Sequence, residues 1–386
     1  MSTHTTVEGP TTTELGAAHL AAREEGRALA RELASYAAEA DEMSEPHAAM
    51  RTALAASGLA GLVVPAAYGG RHDSVDALAV TVVREELMAT SAHLDSLFCM
   101  QGIGSFAVTT GGSEELRSRW LPRVATMEAL AALALTEDGA GSDLKAVATT
   151  ITQEGDELVV DGSKSWISNA GWADFYCVLG REGDGYSMVL VPAGTPGLTI
   201  TPTPTIIAPH LLGDLTFDGV RVPASHRLGA PGKGFSLVFA TLGTFRVSVA
   251  GAAVGLAQAA LDEAVRHATG REQFGRPLSE IGPVGQLLAR SWAELEAARV
   301  FTYHAAARAA ADPRAALDVS SMAKVVATET AGRVVDRCVQ VMGRAGLLRD
   351  SVIERCYRAA RPMRIYEGAS EVVLDSLARQ LTRRPS

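Results

Sequence analysis

The chain has 386 residues, 47% of them hydrophobic and 20% charged, which is enough apolar material for two or three packed domains and too much for a disordered chain. Its net charge of −9, with acidic and basic residues interspersed, leaves no electrostatic footprint for nucleic acid. Four cysteines without a Cys-x-x-Cys pair and nine scattered histidines without a His-x-x-x-His predict buried thiols and no metal site.

The first twenty residues lack a cationic start and an apolar segment, and no run of 18 or more apolar residues follows. A cytoplasmic protein with no membrane span is expected. Residues 1–12 are Thr-rich and read as frayed. From about Glu14, Ala, Leu, Glu and Arg recur at helical spacing, and helices continue to about residue 130. They are interrupted at GLAGLVVPAAYGG (58–70), and Ser113 is placed to cap a helix with Glu114 and Glu115 in its first turn. From 131 to about 230 short β-branched and aromatic runs are punctuated by Gly, Pro and Asp, the pattern of a sheet domain. The helical period then returns almost to the end, with ADPRAA (311–316) as a helix–helix connection. The expected domains are 1–130 all-α, 131–235 β and 236–386 α-helical.

Three stretches carry the candidate chemistry. In LALTEDGAGSD (133–143), Thr136 and Ser142 flank Gly139, Ala140 and Gly141, so backbone amides and hydroxyls could approach an anionic or heteroaromatic group; an ordinary polar turn reads equally. In GSKSWISNAGWADFY (162–176), Trp166 and Ser168 would share one face of a strand and present an aromatic surface and a hydroxyl to a planar ring; the alternative is a tryptophan buried in the sheet. In RIYEGASEV (364–372), Glu367 interrupts helical text. Gly368 with Ser370 or Glu371 could merely end one helix and start another.

These stretches together resemble the acyl-CoA dehydrogenases, flavoproteins that oxidise acyl thioesters. GLAGLVVPAAYGG, LTEDGAGSD, GSKSWISNAG, GREQFGRPL (270–278), QVMGRAG (340–346) and IYEGASEV follow the family's order and spacing across nearly the whole chain. The resemblance implies an α+β fold: an N-terminal helical domain, a middle β domain of short strands and a C-terminal four-helix bundle. It implies FAD as cofactor. Leu133, Leu135 and Thr136 would line the flavin, Ser142 would meet its pyrophosphate, and Trp166 and Ser168 would cover the ring and bond near N5. Arg271, Phe274, Gln340 and Gly343 to Gly346 would reach the FAD of a neighbouring subunit, which requires a homo-oligomer, in this family usually a dimer of dimers. Ala369 and Glu371 fall at further cofactor contacts.

Glu367 falls at the family's catalytic base. Removing a proton α to a thioester carbonyl needs a base beside an apolar pocket, where desolvation makes a carboxylate more basic. The resemblance implies α,β-dehydrogenation, with flavin N5 accepting hydride and an electron-transfer flavoprotein or another acceptor reoxidising the cofactor. Arg246 matches an arginine that positions groups near the site; a surface ion pair is its plain alternative. Tyr366 and Gly368 fall beside the substrate, and Phe98 and Met100 would line the pocket floor.

Several departures bear on the thioester's carrier. Pro209, His210 and Leu211 stand where many relatives have basic residues, and Gly243 stands where an acidic residue often touches the pantetheine arm. The acyl group could therefore arrive on coenzyme A or on a carrier protein. A flavin oxidase or monooxygenase on the same fold is the alternative activity, and Glu367 argues against it. A non-catalytic DNA-binding relative would need a basic face that this acidic chain does not suggest.

Overall fold

The computed structural model describes residues 15–383, so the expectation for residues 1–12 lies outside the described part. In chain order the elements are α1 (Ala17–Leu33), α2 (Ala37–Ala40), α3 (Ala48–Ser57), α4 (Ala77–Met88), α5 (Ala92–Gly111) and α6 (Glu114–Ala125). Strands β1 (Ala131–Ala134), β2 (Thr150–Glu154), β3 (Glu157–Ser168), β4 (Phe175–Glu182), β5 (Gly185–Pro192), β6 (Leu198–Pro202), β7 (Leu212–Pro223) and β8 (Arg227–Leu228) follow. After α7 (Gly234–Gly270) come a hairpin of β9 (Glu272–Gln273) and β10 (Arg276–Pro277), then α8 (Gly282–Ala311), α9 (Leu317–Met342), α10 (Val352–Met363) and α11 (Ser370–Arg383). The helical, β, helical order is the one the sequence predicts. Ser113 does cap α6, accepting a hydrogen bond from Leu116 N at 3.3 Å.

The described residues form two compact units. One comprises 42–76 and 93–245; the other comprises the residues up to Asp41, 77–92 and 246 onward. The first unit contains the sheet, ordered β6-β7-β3-β2-β4-β5-β8, with β1 parallel to β4. Val160, Tyr176, Val178, Val189, Leu215 and Phe217 fill its core. The β3–β7 pairing is antiparallel and loses register between Lys164 and Ile167, just before Ser168, and such an irregularity re-aims the side chains beside it. Helix α5 is buried on all sides from His93 to Val108. Phe98 and Met100 are therefore both buried, although residues two apart on a helix face different ways.

The second unit is helical and built on small residues. Ala250, Ala253, Ala257, Ala260 and Ala264 recur on α7 at three and four positions, and all are buried. A Cβ on Gly251 would fall 2.5 Å from the Thr81 carbonyl oxygen, and one on Gly255 would fall 1.8 Å from that of Glu85. Only glycine at these two positions lets α7 and α4 approach so closely, one turn apart on each helix. The Glu85 carboxylate, buried in that crossing, is met by Arg299 Nε at 3.0 Å and Tyr303 Oη at 2.5 Å from α8. A buried carboxylate needs such partners, since isolated it would be strongly destabilising.

Helix α7 is long and apolar enough, by length and composition alone, to cross a membrane, with a mean hydropathy of 1.6 over 18 residues. Arg246 and small polar residues keep its apolar residues from forming an unbroken run. Of that stretch 78% is buried inside the protein, so the apolar surface belongs to the core. All four cysteines are buried and free, as predicted.

Candidate active site

In the sheet unit, the loop after β1 is tied to β3 by a buried ion pair. Glu137 Oε1 lies 2.7 Å from Lys164 Nζ, and the lysine is completely buried. The same carboxylate accepts from Ala148 N, Thr149 N and Thr149 Oγ1. Burial opposes its charge, but these donors and Lys164 outweigh burial and hold the carboxyl below its ordinary pKa. Lys164 also donates to the Leu135 carbonyl at 3.0 Å, and Ser165 N donates to the Thr136 carbonyl at 2.9 Å. Leu133, Leu135 and Thr136 are partly exposed beside this clamp, and Ser142 is exposed. A Cβ on Gly139 would meet nothing within 4 Å, so the small residues leave open space over the loop.

The structure decides the reading of Trp166. Its side chain is 52% exposed, while Ile167 is buried and Ser168 half-buried, so the indole is not a tryptophan buried in the sheet. Trp166 has a left-handed backbone, φ 58°, which costs a bulky residue on the order of 1–2 kcal/mol; its N–H donates to Asp214 Oδ1 at 2.9 Å. Ser168 Oγ is 3.0 Å from His210 Nε2. Burial pushes the His210 imidazole down to about 4, so the ring is neutral near pH 7. His210 therefore turns to the serine hydroxyl as a neutral partner. Gly243 lies buried within α7.

In the helical unit, Glu367 lies between α10 and α11 with φ 57°, and Gly368 follows with φ 99°. Only glycine takes the second conformation without strain, and a Cβ there would come within 3.0 Å of Val373 and 3.3 Å of Arg246. Arg246 Nε donates to the Glu367 carbonyl at 3.0 Å and its Nη1 to Ser321 Oγ at 3.0 Å. The guanidinium is thus no surface ion pair. Burial lowers its pKa, and the Glu367 charge opposes that. Lys324 Nζ donates to the Gly368 carbonyl at 2.7 Å. Glu329 receives Ser370 Oγ at 2.8 Å and Arg364 Nε at 2.9 Å. Glu367 Oε2 is buried with no hydrogen-bond partner among the described residues. A buried, unpartnered carboxylate oxygen is rare enough in proteins to require an explanation. Tyr366 is exposed and Ala369 half-buried, and Glu371 lies exposed in the first turn of α11.

The other predicted cofactor contacts lie on two features of the same unit. Phe274 and Gly275 form the two-residue tip of the β9–β10 hairpin, both with positive φ, the backbone this tight turn demands. Phe274 is 94% exposed, and Arg271, just before the hairpin, is exposed. Gln340 is exposed near the end of α9. Gly343 ends that helix with φ 58° and ψ −131°, a glycine-only conformation. At Gly346 a Cβ would meet the Val339 carbonyl at 2.7 Å.

In the sheet unit an exposed indole, hydroxyls and an open loop of small residues suit a flavin dinucleotide; in the helical unit, taken by itself, an exposed arginine and an exposed aromatic hairpin tip suit its phosphate and ring chemistry. Among the described residues no group of three His, Cys, Asp or Glu could hold a metal. Sequence reasoning missed Lys324, Ser321, Glu329, Glu137, Lys164 and Asp214. Its only signal for Lys324 was that it is the one lysine of α9, on the Ser321–Lys324–Thr328 side where its neighbours are small or apolar.

Three family models match the chain, described as the N-terminal domain of acyl-CoA dehydrogenase over residues 17–128, the middle domain over 132–220 and the C-terminal domain over 232–382. The chain is 37% identical over 350 residues to cyclohex-1-ene-1-carbonyl-CoA dehydrogenase of Geobacter metallireducens, covering 89% of this chain and 92% of that protein. Among solved structures, butyryl-CoA dehydrogenase from Megasphaera elsdenii superposes with a TM-score of 0.91 at 29% identity, over 97% of this chain and all of that one. A protein for biosynthesis of the methoxymalonyl extender unit of a polyketide immunosuppressant superposes with 0.81 at 34% identity, over 93% and 99%.

Proposed function

The chain belongs to the acyl-CoA dehydrogenase family, and from that premise we propose that Glu367 takes the α proton of an acyl thioester in a flavin-dependent α,β-dehydrogenation. The protein is an FAD-dependent oxidoreductase acting on CH–CH bonds of acyl-CoA. When bound, FAD supplies the two-electron acceptor that no side chain here can provide.

The chain's own residues hold the remaining parts. The observation that carries the reading is Glu367 Oε2, a buried carboxylate oxygen without a partner on a loop fixed by two cations. An oxygen with no donor on it among the described residues is open to a proton from a ligand. Trp166 offers a flat apolar face for the ring, and Ser168 offers a hydroxyl beside it. Thr136 and Ser142 offer hydroxyls along the loop, and Arg271 offers a charge-assisted contact to phosphate. Exposed Phe274, with Leu347 75% and Leu348 62% exposed, supports a homo-oligomer in which these residues are covered by a second copy. A monomer in sedimentation equilibrium at assay concentration would sink that part.

The test is anaerobic titration of the FAD-loaded protein with butyryl-CoA, glutaryl-CoA and cyclohex-1-ene-1-carbonyl-CoA. Bleaching of the flavin by at least one is expected; a flavin that no thioester reduces but an external reductant does would overturn the reading in favour of an oxidase or monooxygenase.

The carrier is open to a second reading. We propose a carrier-protein thioester as the second reading beside coenzyme A, because Pro209, His210 and Leu211 stand in place of basic residues and Gly243 in place of an acidic one. Comparing kcat/KM for one acyl group on both carriers across ionic strength separates them. A preference for the carrier protein above about tenfold that weakens with salt would select the second. We propose an electron-transfer flavoprotein as the acceptor; failure of such a partner to reoxidise the reduced enzyme faster than oxygen does would exclude it.

A further inference from the structure

Helix α9 clamps the loop that carries Glu367 from one face. Ser321 holds Arg246, which holds the Glu367 carbonyl; Lys324 holds the Gly368 carbonyl; Glu329 holds Arg364 and Ser370 on either side of the loop. Ser321 and Lys324, three residues apart, lie on the same side of the helix, and Glu329 follows further along it. Two consecutive carbonyls are thus drawn onto two cations, a partly buried arginine and a fully buried lysine, and the residues that carry them, Glu367 and Gly368, both have positive φ.

We propose that Lys324 is a positioning residue of the reaction, an ammonium that fixes the Gly368 peptide and through it the aim of the Glu367 carboxylate and the Ala369 N–H. This rests on the reading of Glu367 as the base. A trans peptide holds its N–H opposite its C=O. Fixing the Gly368 carbonyl on Lys324 therefore turns the Ala369 N–H to the other side, where it can serve a ligand. Arg246 alone cannot do this, because its bond ends on the preceding peptide.

Lys324 is completely buried, and its surroundings make the ammonium titratable in an accessible range. Burial pushes its pKa down from 10.5 to about 8; Glu367 opposes the shift, Arg246 on α7 adds to it, and Glu329 on α9 and Glu371 on α11 oppose it. Positioning by the charged form weakens as pH rises through about 8. Stability moves the other way. Between the folded value near 8 and the ordinary 10.5 the unfolded chain binds the extra proton, so this group's contribution to stability increases with pH across that window. Loss of rate there cannot be assigned to its loosening the fold.

The experiment measures the rate constant for anaerobic flavin reduction, at saturating concentration of whichever panel acyl-CoA reduces the flavin fastest, from pH 6 to 10, with thermal midpoints alongside. Wild-type rate should fall above about pH 8 with no parallel fall in midpoint. Lys324→Met should keep its FAD, bind thioester within about threefold, reduce about tenfold or more slowly, and lose the alkaline limb. Lys324→Arg, whose charge persists to high pH, should recover most of the rate and move the limb upward. A wild-type rate flat to pH 10, or a Lys324→Met enzyme as fast as wild type, overturns the proposal. Should Lys324→Met fail to fold, the wild-type profile decides. Glu367→Gln run in parallel separates the two readings: normal reduction there removes the base itself, whereas a dead Glu367→Gln beside an unimpaired Lys324→Met removes only the role of Lys324.

Discussion

The base loop, 364–370, and the end of β3 each place a bulky residue in left-handed backbone, Glu367 at φ 57° and Trp166 at φ 58°. Different forces hold them there. On the loop, cations grip main-chain carbonyls, and one carboxylate oxygen, Glu367 Oε2, has no hydrogen-bond partner among the described residues. On the strand, one buried ion pair fixes the neighbouring loop, an aspartate takes the Trp166 N–H, and the half-buried Ser168 hydroxyl meets a neutral imidazole. The difference separates two tasks. A base must exchange a proton and needs an empty carboxylate on a rigid mount, whereas a ring-facing surface needs fixed shape and polarity that do not change with pH. The two regions should therefore break at opposite ends of the pH scale, the loop above neutrality through Lys324 and the strand below it through His210.

The largest effect tests the loop. Glu367→Gln keeps the shape and removes the proton acceptor, so flavin reduction should slow by about 10³-fold or more with FAD content and thermal midpoint retained. Stopped-flow reduction at a near-normal rate in that variant would collapse the comparison, because the loop would then be only a helix junction. On the strand side the corresponding change is to stability. Lys164→Met leaves Glu137 buried beside neutral donors only, which should cost about 3–5 kcal/mol in urea unfolding. The double variant Lys164→Met, Glu137→Gln should recover part of that loss, since it leaves no uncompensated charge. In wild type the Glu137 pKa is depressed, so the stability it contributes is present above the unfolded carboxylate pKa and lost as pH falls through the folded one. An unchanged urea midpoint in Lys164→Met would mean that the pair does not hold the strand end.

Much of this arrangement was legible in the sequence, and the limits have a physical origin. The helical, β, helical order follows from hydrophobic period. Ser113 as a cap, Gly368 as a permissive backbone and Ser370 as a helix start follow from local rules that involve a few adjacent residues. What could not be read were bonds across long sequence separations. Lys324 and Gly368 are 44 residues apart, Arg246 and Glu367 are 121 apart, and Ser168 and His210 are 42 apart. No periodicity encodes such pairs. The sequence could show that His210 replaces a basic residue of relatives, and only the fold shows that its ring turns to Ser168. The left-handed conformations of Glu367 and Trp166 were equally hidden, because neither residue type advertises a positive φ.

The smallest effect, and the most discriminating for the strand, concerns His210. Its imidazole lies near 4, held down by burial, against an ordinary 6.5. Between those values the unfolded chain carries a proton the folded one does not, so stability should fall as pH drops from about 6.5 towards 4. His93 shares the window: burial first, then the charges of His210 and His47, push it to about 4. Its Nε2 accepts from His47 N at 3.0 Å, a bond that protonation would break. His210→Gln should keep a polar partner for Ser168 and change stability near pH 7 by less than about 1 kcal/mol, the ordinary value of one neutral hydrogen bond. Its acid limb should be shallower than wild type but not abolished, because His93 and His226, both also pushed down by burial, remain, and adding His93→Gln should flatten it further. The rate of flavin reduction should be indifferent to His210 titration from pH 6 to 8, where the ring is already neutral, and fall only on the alkaline side set by the loop. A His210→Gln protein whose urea midpoint follows pH as steeply as wild type between 6.5 and 4 would show that the ring is not the neutral support of Ser168, and the contrast between a titrating loop and an untitrating strand would go with it.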